Sequence, residues 1–205
     1  MYNSGITTRE FIDSLKNEID VSMPIADASF LRAINTAEQF LYTEILKEYV
    51  ATTIDYEEIE DNTISESDLA SISGVEKPIF DDIIKVFADK DELERAGVVG
   101  VLDFPEKNLY YNRYDGNISI STDYTPDKIT VVYRIRPQIK TNTNVETTYI
   151  AVPVEFVELI AAKVRGEMYK LMNEDALSAK WLSDYNSNLE NFKVWAMSRN
   201  ERFGG

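Results

Sequence analysis

The stretch KITVVYRIR, residues 128–136, places Ile129, Val131, Tyr133 and Ile135 on one side of an extended chain and Thr130, Val132, Arg134 and Arg136 on the other. It reads as a strand with one buried face. Just before it, Asn108–Tyr114 (NLYYNRY) and Ile118–Thr122 (ISIST) flank Asp115-Gly116-Asn117, where glycine supplies the positive φ of a tight hairpin turn. Tyr124-Thr125-Pro126-Asp127 makes the next turn, and the whole predicts a small antiparallel meander. Further upstream the pattern is ambiguous. Ile83, Ile84, Val86 and Phe87 suit a strand, yet Ile79, Phe80, Ile83, Ile84 and Phe87 also repeat at helical spacing. Asp91–Ala96 reads as one or two helical turns stopped by Gly97, and Val98–Leu102 as a short strand. Downstream, PQIKTNTNVETT (137–148) has Thr and Asn with almost no apolar anchors. An exposed, mobile loop is expected there, longer than most connections in compact domains.

Helical patterns lie on both sides of this region. Thr7 and Glu10 stand at capping-box spacing, and Phe11, Ile12, Leu15 and Ile19 follow as one stripe. Val21–Ala26, with Pro24, breaks it. A second helix is expected from Asp27 as N-cap to about Tyr49, with Phe30, Leu31, Ile34, Ala37, Leu41 and Ile45 as its apolar face and Tyr42 and Tyr49 at or beyond its edge. After the strands, Pro153 is placed as a first helical residue, Glu155 and Glu158 lie early, and Lys163, Arg165 and Lys170 lie late, as a helix dipole favours. Val157, Ile160, Ala161, Val164, Met168 and Leu171 form the stripe. Met172–Asp175 is a tight break, with Asp175 able to cap a last helix that buries Leu177, Trp181, Leu182, Tyr185, Leu189 and Phe192. So short a link implies an antiparallel helix pair. The fold class is therefore α+β: N-terminal and C-terminal helices (1–50 and 153–197) form a helical bundle, a small β meander is inserted within 51–152, and 198–205 is an extended tail.

Composition narrows the function. The 205 residues include no Cys and no His, which removes disulfides, thiolate chemistry, Ser-His-Asp triads and HExxH zinc sites. No phosphate-binding glycine loop occurs. No run of about 18 apolar residues occurs, and MYNSGITTREFIDS lacks the basic-then-apolar pattern of a secretory signal. No cofactor or metal is expected. The formal charge is −15, and residues 51–76 hold eight acidic and no basic residues. That segment reads as a strand-like start (Thr52 to Ile59), a carboxylate-rich loop without calcium-loop spacing, and a helical turn near Ser67. Its Glu57, Glu58, Glu60, Asp61, Glu66 and Asp68 repel nucleic acid rather than grip it, since DNA affinity comes from cations that neutralise phosphates. Glu155 with Glu158, and the tyrosines 110, 111, 114, 124 and 133, are the nearest approach to catalytic or ligand-binding groups; helix-dipole complementarity and packing account for both sets more simply.

Two segments carry a resemblance. Tyr149–Lys163 (YIAVPVEFVELIAAK), directly after ITVVYRIRP, is followed by YKLMNEDALSAKWLSDYNSNLENF, with Ala179, Trp181, Tyr185 and Leu189 in pattern; near the N-terminus stands FLRAINTAEQFLY, with Leu31, Ile34, Asn35 and Ala37. In this the chain resembles the adaptor, or head–tail connector, proteins of tailed bacteriophages, over residues of about 28–42 and 129–190. The resemblance implies a virion protein made in the bacterial host cytoplasm, with no enzymatic activity. It implies a ring, most often of twelve copies, docked on the portal protein, passing DNA non-specifically through its channel and receiving a downstream tail or nozzle protein. The tail with Trp195, Arg199, Arg202 and Phe203 would meet the portal. The loop with Ile139, Lys140, Asn142, Asn144 and Val145 would meet a neighbour or the next ring. Glu57, Glu58, Glu60, Asp61, Glu66 and Asp68 would give an acidic lumen past which DNA slides. Another tail-completion or assembly protein, or a non-enzymatic interaction module of the same build, is the alternative; oligomeric state and partner discriminate them.

Overall fold

The computed structural model describes residues 2–19, 25–46, 49–66, 69, 79–96, 110–114 and 116–203. It is mixed α+β, and the chain divides into two compact units, residues 1–47 with 137–205, and residues 48–136. Residues 137–152 thus belong with the helices, where the sequence placed them with the β region.

The helical unit begins at α1, Thr8–Glu18, whose capping box is made as expected: Thr7 accepts from the Glu10 backbone and the Glu10 carboxylate accepts from the Thr7 N–H at 2.9 Å. α2, Asp27–Phe40, continues as a π-helical turn over Leu41–Leu46 rather than as one α-helix to Tyr49. The wider turn brings both Leu41 and Tyr42 inward. Tyr42, expected at the edge of the stripe, is buried, and its hydroxyl accepts the Tyr2 N–H at 3.0 Å. Ala26, not Asp27, is the N-cap of α2. Asp27 is the first helical residue, and its carboxylate is bound by Lys16 and, at 2.7 Å, by Arg9, both of α1.

These two cations, Lys16 foremost, hold the Asp27 carboxyl below the usual carboxylate range. A depressed acid stabilises the fold above its unfolded pKa and loses that contribution as pH falls through the folded one. Asp27→Asn is therefore expected to cost on the order of 1 kcal/mol near pH 7 and nothing in strong acid. Urea titrations of both proteins across the acid limb check this; a cost independent of pH contradicts it.

After Pro153 comes a 3-10 turn, Val154–Phe156, which leads into α3, Val157–Leu171. α3 ends in a Schellman motif: Asn173 adopts φ 60°, Glu174 donates to Tyr169 O at 2.9 Å and Asn173 to Lys170 O at 3.1 Å. The chain reverses there into α4, Asp175–Phe203. Contacts run antiparallel: Ser178 Oγ donates to Gly166 O at 2.9 Å, Lys163 lies over the Tyr185 ring, and Phe156 meets Phe192 edge-on at 4.9 Å. Gly166 permits the close approach, since a Cβ there would stand 2.8 Å from Leu182. Arg165 joins three helices, binding Glu18 and Glu158 while its guanidinium lies 4.5 Å from the Trp181 ring centroid. Phe11, Ile12, Phe30, Ile34, Ile160, Val164 and Phe192 are among the side chains that fill the interior.

The second unit holds β1 (Tyr49–Asp55), β2 (Thr63–Ser65), β3 (Ile79–Ala88), β4 (Asp91–Glu92), β5 (Glu94–Arg95), β6 (Tyr110–Tyr114), β7 (Asn117–Ser121) and β8 (Lys128–Arg136). The expected meander is corrected here, because the strands build two four-stranded sheets. One has the order β1-β8-β3-β4 and is antiparallel throughout; the other has the order β2-β7-β6-β5, parallel only between β5 and β6. The hairpin β6–β7 forms as expected, with Gly116 at φ 75°. β8, however, pairs with β1 and β3 rather than with the hairpin. Ile129, Val131, Tyr133 and Ile135 are buried as the alternation required. Residues 91–96 are not helical. Asp89, at φ 51°, turns the chain back from β3, and Leu93 and Ala96 anchor the short strands in the interior. Helical backbone occurs at Glu66 and Leu69. The expected break at 21–24, the turn residue Ser67, Gly97 with the strand Val98–Leu102, and residues 108–109 of the hairpin lie outside the described residues.

Candidate functional site

The segment 137–148 is a loop with half of its residues exposed, as expected, but it is tied down as a strap. Gln39 of α2 donates to Pro137 O, Asn35 donates to Lys140 O, and the Lys140 N–H donates back to Asn35 Oδ1, all at 2.9 Å. The free N–H groups at the start of α1 are used as well: Thr8 N donates to Thr148 O at 2.8 Å and Arg9 N to Val145 O at 3.1 Å. The Lys140 ammonium binds the Glu38 carboxylate in the interior, where the two side chains are 2% and 1% exposed. The other Glu38 oxygen accepts the Ala151 N–H at 2.8 Å. Burial raises the Glu38 carboxyl; Lys140 and Ala151 act against it. Of the five loop residues expected to meet a partner, Lys140 and Val145 are buried and so unavailable to one. Asn144 is spent inside the turn, accepting from Thr141 N at 2.7 Å and donating to Ile139 O at 3.0 Å. Ile139 and Asn142 remain exposed.

The C-terminal segment is also corrected: α4 continues helical to Phe203 instead of ending in an extended tail from residue 198. Trp195 is not a free anchor. Its ring packs at 5.4 Å from Tyr2, 5.1 Å from Phe156 and 5.4 Å from Phe192. The side chains of Arg199, Arg202 and Phe203 lie outside the described residues. What faces out here is apolar and was not singled out in the sequence: Val194 is 69% exposed, Met197 65% and Val154 64%.

Among the acidic candidates, Glu57, Glu58, Glu60 and Asp61 are exposed on two consecutive 3-10 turns, Tyr56–Glu58 and Glu60–Asn62. Glu66 does not belong with them, since it is bound by Arg113 of β6. Asp68 lies outside the described residues. Glu158 is bound by Arg165, so Glu155 and Glu158 are not a free carboxylate pair. Tyr111 and Tyr133 are interior, Tyr133 donating to Leu69 O at 3.0 Å, and Tyr124 donates to Ala88 O at 2.9 Å. The side chains of Tyr110 and Tyr114 lie outside the described residues.

Among the described residues, two of the clefts are informative. One of about 250 Å³ lies between α2 and α3, with Arg32, Thr36, Lys163, Glu167 and Met168 in its walls; a polar one of about 320 Å³ lies beside Tyr56, Asn62, Ser121 and Asp123. Both are at or below the small end of ligand pockets. Among the described residues no cluster of three or more acidic side chains is placed to hold a metal ion, and no helix is long and apolar enough to cross a membrane. Exposed apolar side chains lie at one end of the α3–α4 pair, and exposed carboxylates lie on the 3-10 turns of the β unit. No protein-family model matches the chain, and no curated protein matches it.

Proposed function

We propose that this chain is a structural virion protein, a head–tail connector. It assembles as a ring, docks on the portal, lets DNA pass along its channel and receives the next tail component, and it performs no catalysis. The observation that carries the reading is the outer flank of α4. Phe192 and Ala196 face the interior, while Val194 and Met197, one helical turn apart, face solvent. Val154 stands two residues before Phe156, which packs on Phe192 and Trp195, so a third exposed apolar side chain sits at the same end of the helix pair. Exposed apolar side chains at one end of the helix pair, on an otherwise acidic chain, suit contact with another protein. The residue patterns at 28–42 and 129–190 support the same reading.

The test is co-sedimentation with the portal rings of the same virion. V194D/M197D, or deletion of residues 198–205, is expected to abolish it while leaving the melt of V194D/M197D within about 0.5 kcal/mol of wild type, because the changed side chains are at the surface. Undiminished binding by both variants removes this end of α4 from the portal contact.

A further inference from the structure

The β1-β8-β3-β4 sheet has one face that its own interior does not use. On β8 that face carries Thr130, Val132, Arg134 and Arg136. Register adds Tyr49, Ala51 and Thr53 from β1, and Lys85 and Phe87 from β3. Tyr49, Ala51, Thr53 and Lys85 are exposed. The cations rest on aromatic rings: the Arg134 guanidinium lies 5.7 Å from the Tyr49 centroid, and Lys85 Nζ 5.9 Å from that of Phe87. Arg134 Nε, closed off from water, donates no hydrogen bond. Lys85 also meets Glu92 at 2.9 Å.

The other end of the same strands is negative. β1 runs from Tyr49, opposite Arg134, to Asp55, opposite Lys128. That is about 20 Å at roughly 3.3 Å per residue. The chain then enters the two 3-10 turns that expose Glu57, Glu58, Glu60 and Asp61. Asp61 and Asn62 adopt left-handed φ of 52° and 54°, and Tyr56 hydrogen-bonds Asn62 across the turn. Among the described residues no ion pair reaches any of these four carboxylates.

We infer that the solvent face around Tyr49, Lys85 and Arg134 is a docking surface for a second copy of this chain, which places its acidic turn Glu57–Asp61 there. The inference deepens the ring reading and rests on it, naming a surface through which neighbours meet. Charge complementarity selects the occupant. Copies carrying −15 each repel one another at long range, so contact requires a local patch of opposite sign. Arg134 and Tyr49 lie at one end of β1, the acidic turn follows its other end, and Lys85 stands midway, opposite Val132 and paired with Glu92, so the two patches do not satisfy each other within a chain. Their pairing is head-to-tail, the kind that closes into a ring when the rotation permits. The acidic turn then serves the contact between copies instead of lining a channel.

Charge reversal tests this in sedimentation velocity at low salt. Wild type is expected to self-associate, and K85E/R134E and E57K/E58K/E60K/D61K each to do so about tenfold or more weakly. An equimolar mixture of the two variants restores association, because each then offers the sign the other lacks. The variants alter different segments, so a folding defect in one, seen in its melt, leaves the other decisive. Association of both variants at wild-type strength overturns the docking surface and leaves the connector reading standing. A wild type that stays monomeric alone and fails to load on portal rings removes both. Binding of a duplex DNA fragment that K85E/R134E loses, with self-association unchanged, overturns the inference in favour of a nucleic-acid surface.

Discussion

Lys140→Ala is expected to destabilise the helical unit by about 3–5 kcal/mol, the cost of leaving one member of a buried ion pair alone. Lys140 and Glu38 are 3% and 1% exposed as residues. Without the ammonium, the Glu38 carboxylate keeps only the Ala151 N–H. The strap keeps its backbone hydrogen bonds to Asn35 and Gln39 of α2 but loses the one ion pair that anchors it in the interior. The pH dependence has a defined sign. Burial already raises the Glu38 carboxyl in the fold, so its ionised form is the costly one. The deficit of Lys140→Ala grows as pH rises through that raised pKa and shrinks below the ordinary carboxylate range, where Glu38 takes up a proton. Replacing both partners, K140M with E38L, is expected to be near neutral or stabilising, because two desolvated charges give way to apolar packing. Urea titrations of the three proteins at pH 4 and pH 7 make the comparison. A Lys140→Ala protein as stable as wild type at pH 7 would mean that residues 137–148 are a free loop after all.

Phe192→Ala is expected to cost a similar amount, about 3–5 kcal/mol, and to do so at any pH. The ring is fully buried, meets Phe156 edge-on at 4.9 Å and stacks on Trp195 at 5.4 Å. Removing it opens a cavity where α4 meets the turn before α3, and the neighbouring rings cannot close it without leaving Tyr2. Trp195 fluorescence should shift to the red as its packing loosens. At about 2–4 °C per kcal/mol for a chain of this size, the melt should fall by roughly 10 °C. Val194→Ala, two residues away and exposed, should change it hardly at all. Equal small effects at 192 and 194 would contradict the orientation of α4.

How much of this was legible depended on whether the signal was local. The capping box of Thr7 and Glu10, the alternation of 128–136 and the Gly116 hairpin were read correctly because each is fixed by residues a few positions apart. Strand partners are not. Residues 128–136 pair with 49–55 and 79–88, and nothing in their composition marks those partners over the adjacent hairpin. The helix-like spacing of 79–87 has a physical origin: register shifts between Phe80 and Ile83 and between Ile83 and Lys85 break the two-residue alternation, so Ile83 and Val86, three apart, are both buried. The C-terminal segment lacked an apolar stripe, but Arg and Glu sustain a helix without one.

The strap did leave a trace that went unread. Glu38 stands one turn from Ile34 and Leu41 on the apolar face of α2, and a charge there calls for a buried counter-charge. Lys140 was the cation in the polar stretch that followed the best strand. Helical spacing marks only the buried face of the last helix, so the exposed Val194 and Met197 carry no such signal in the sequence.

A connector of the kind proposed works by binding copies of itself and other virion proteins. Negative-stain imaging of the purified chain, alone and mixed with portal rings from the same virion, tests it most directly. Closed rings of this chain, stacked coaxially on the portal, are the predicted result. Single particles of about 23 kDa that never decorate the portal would contradict it.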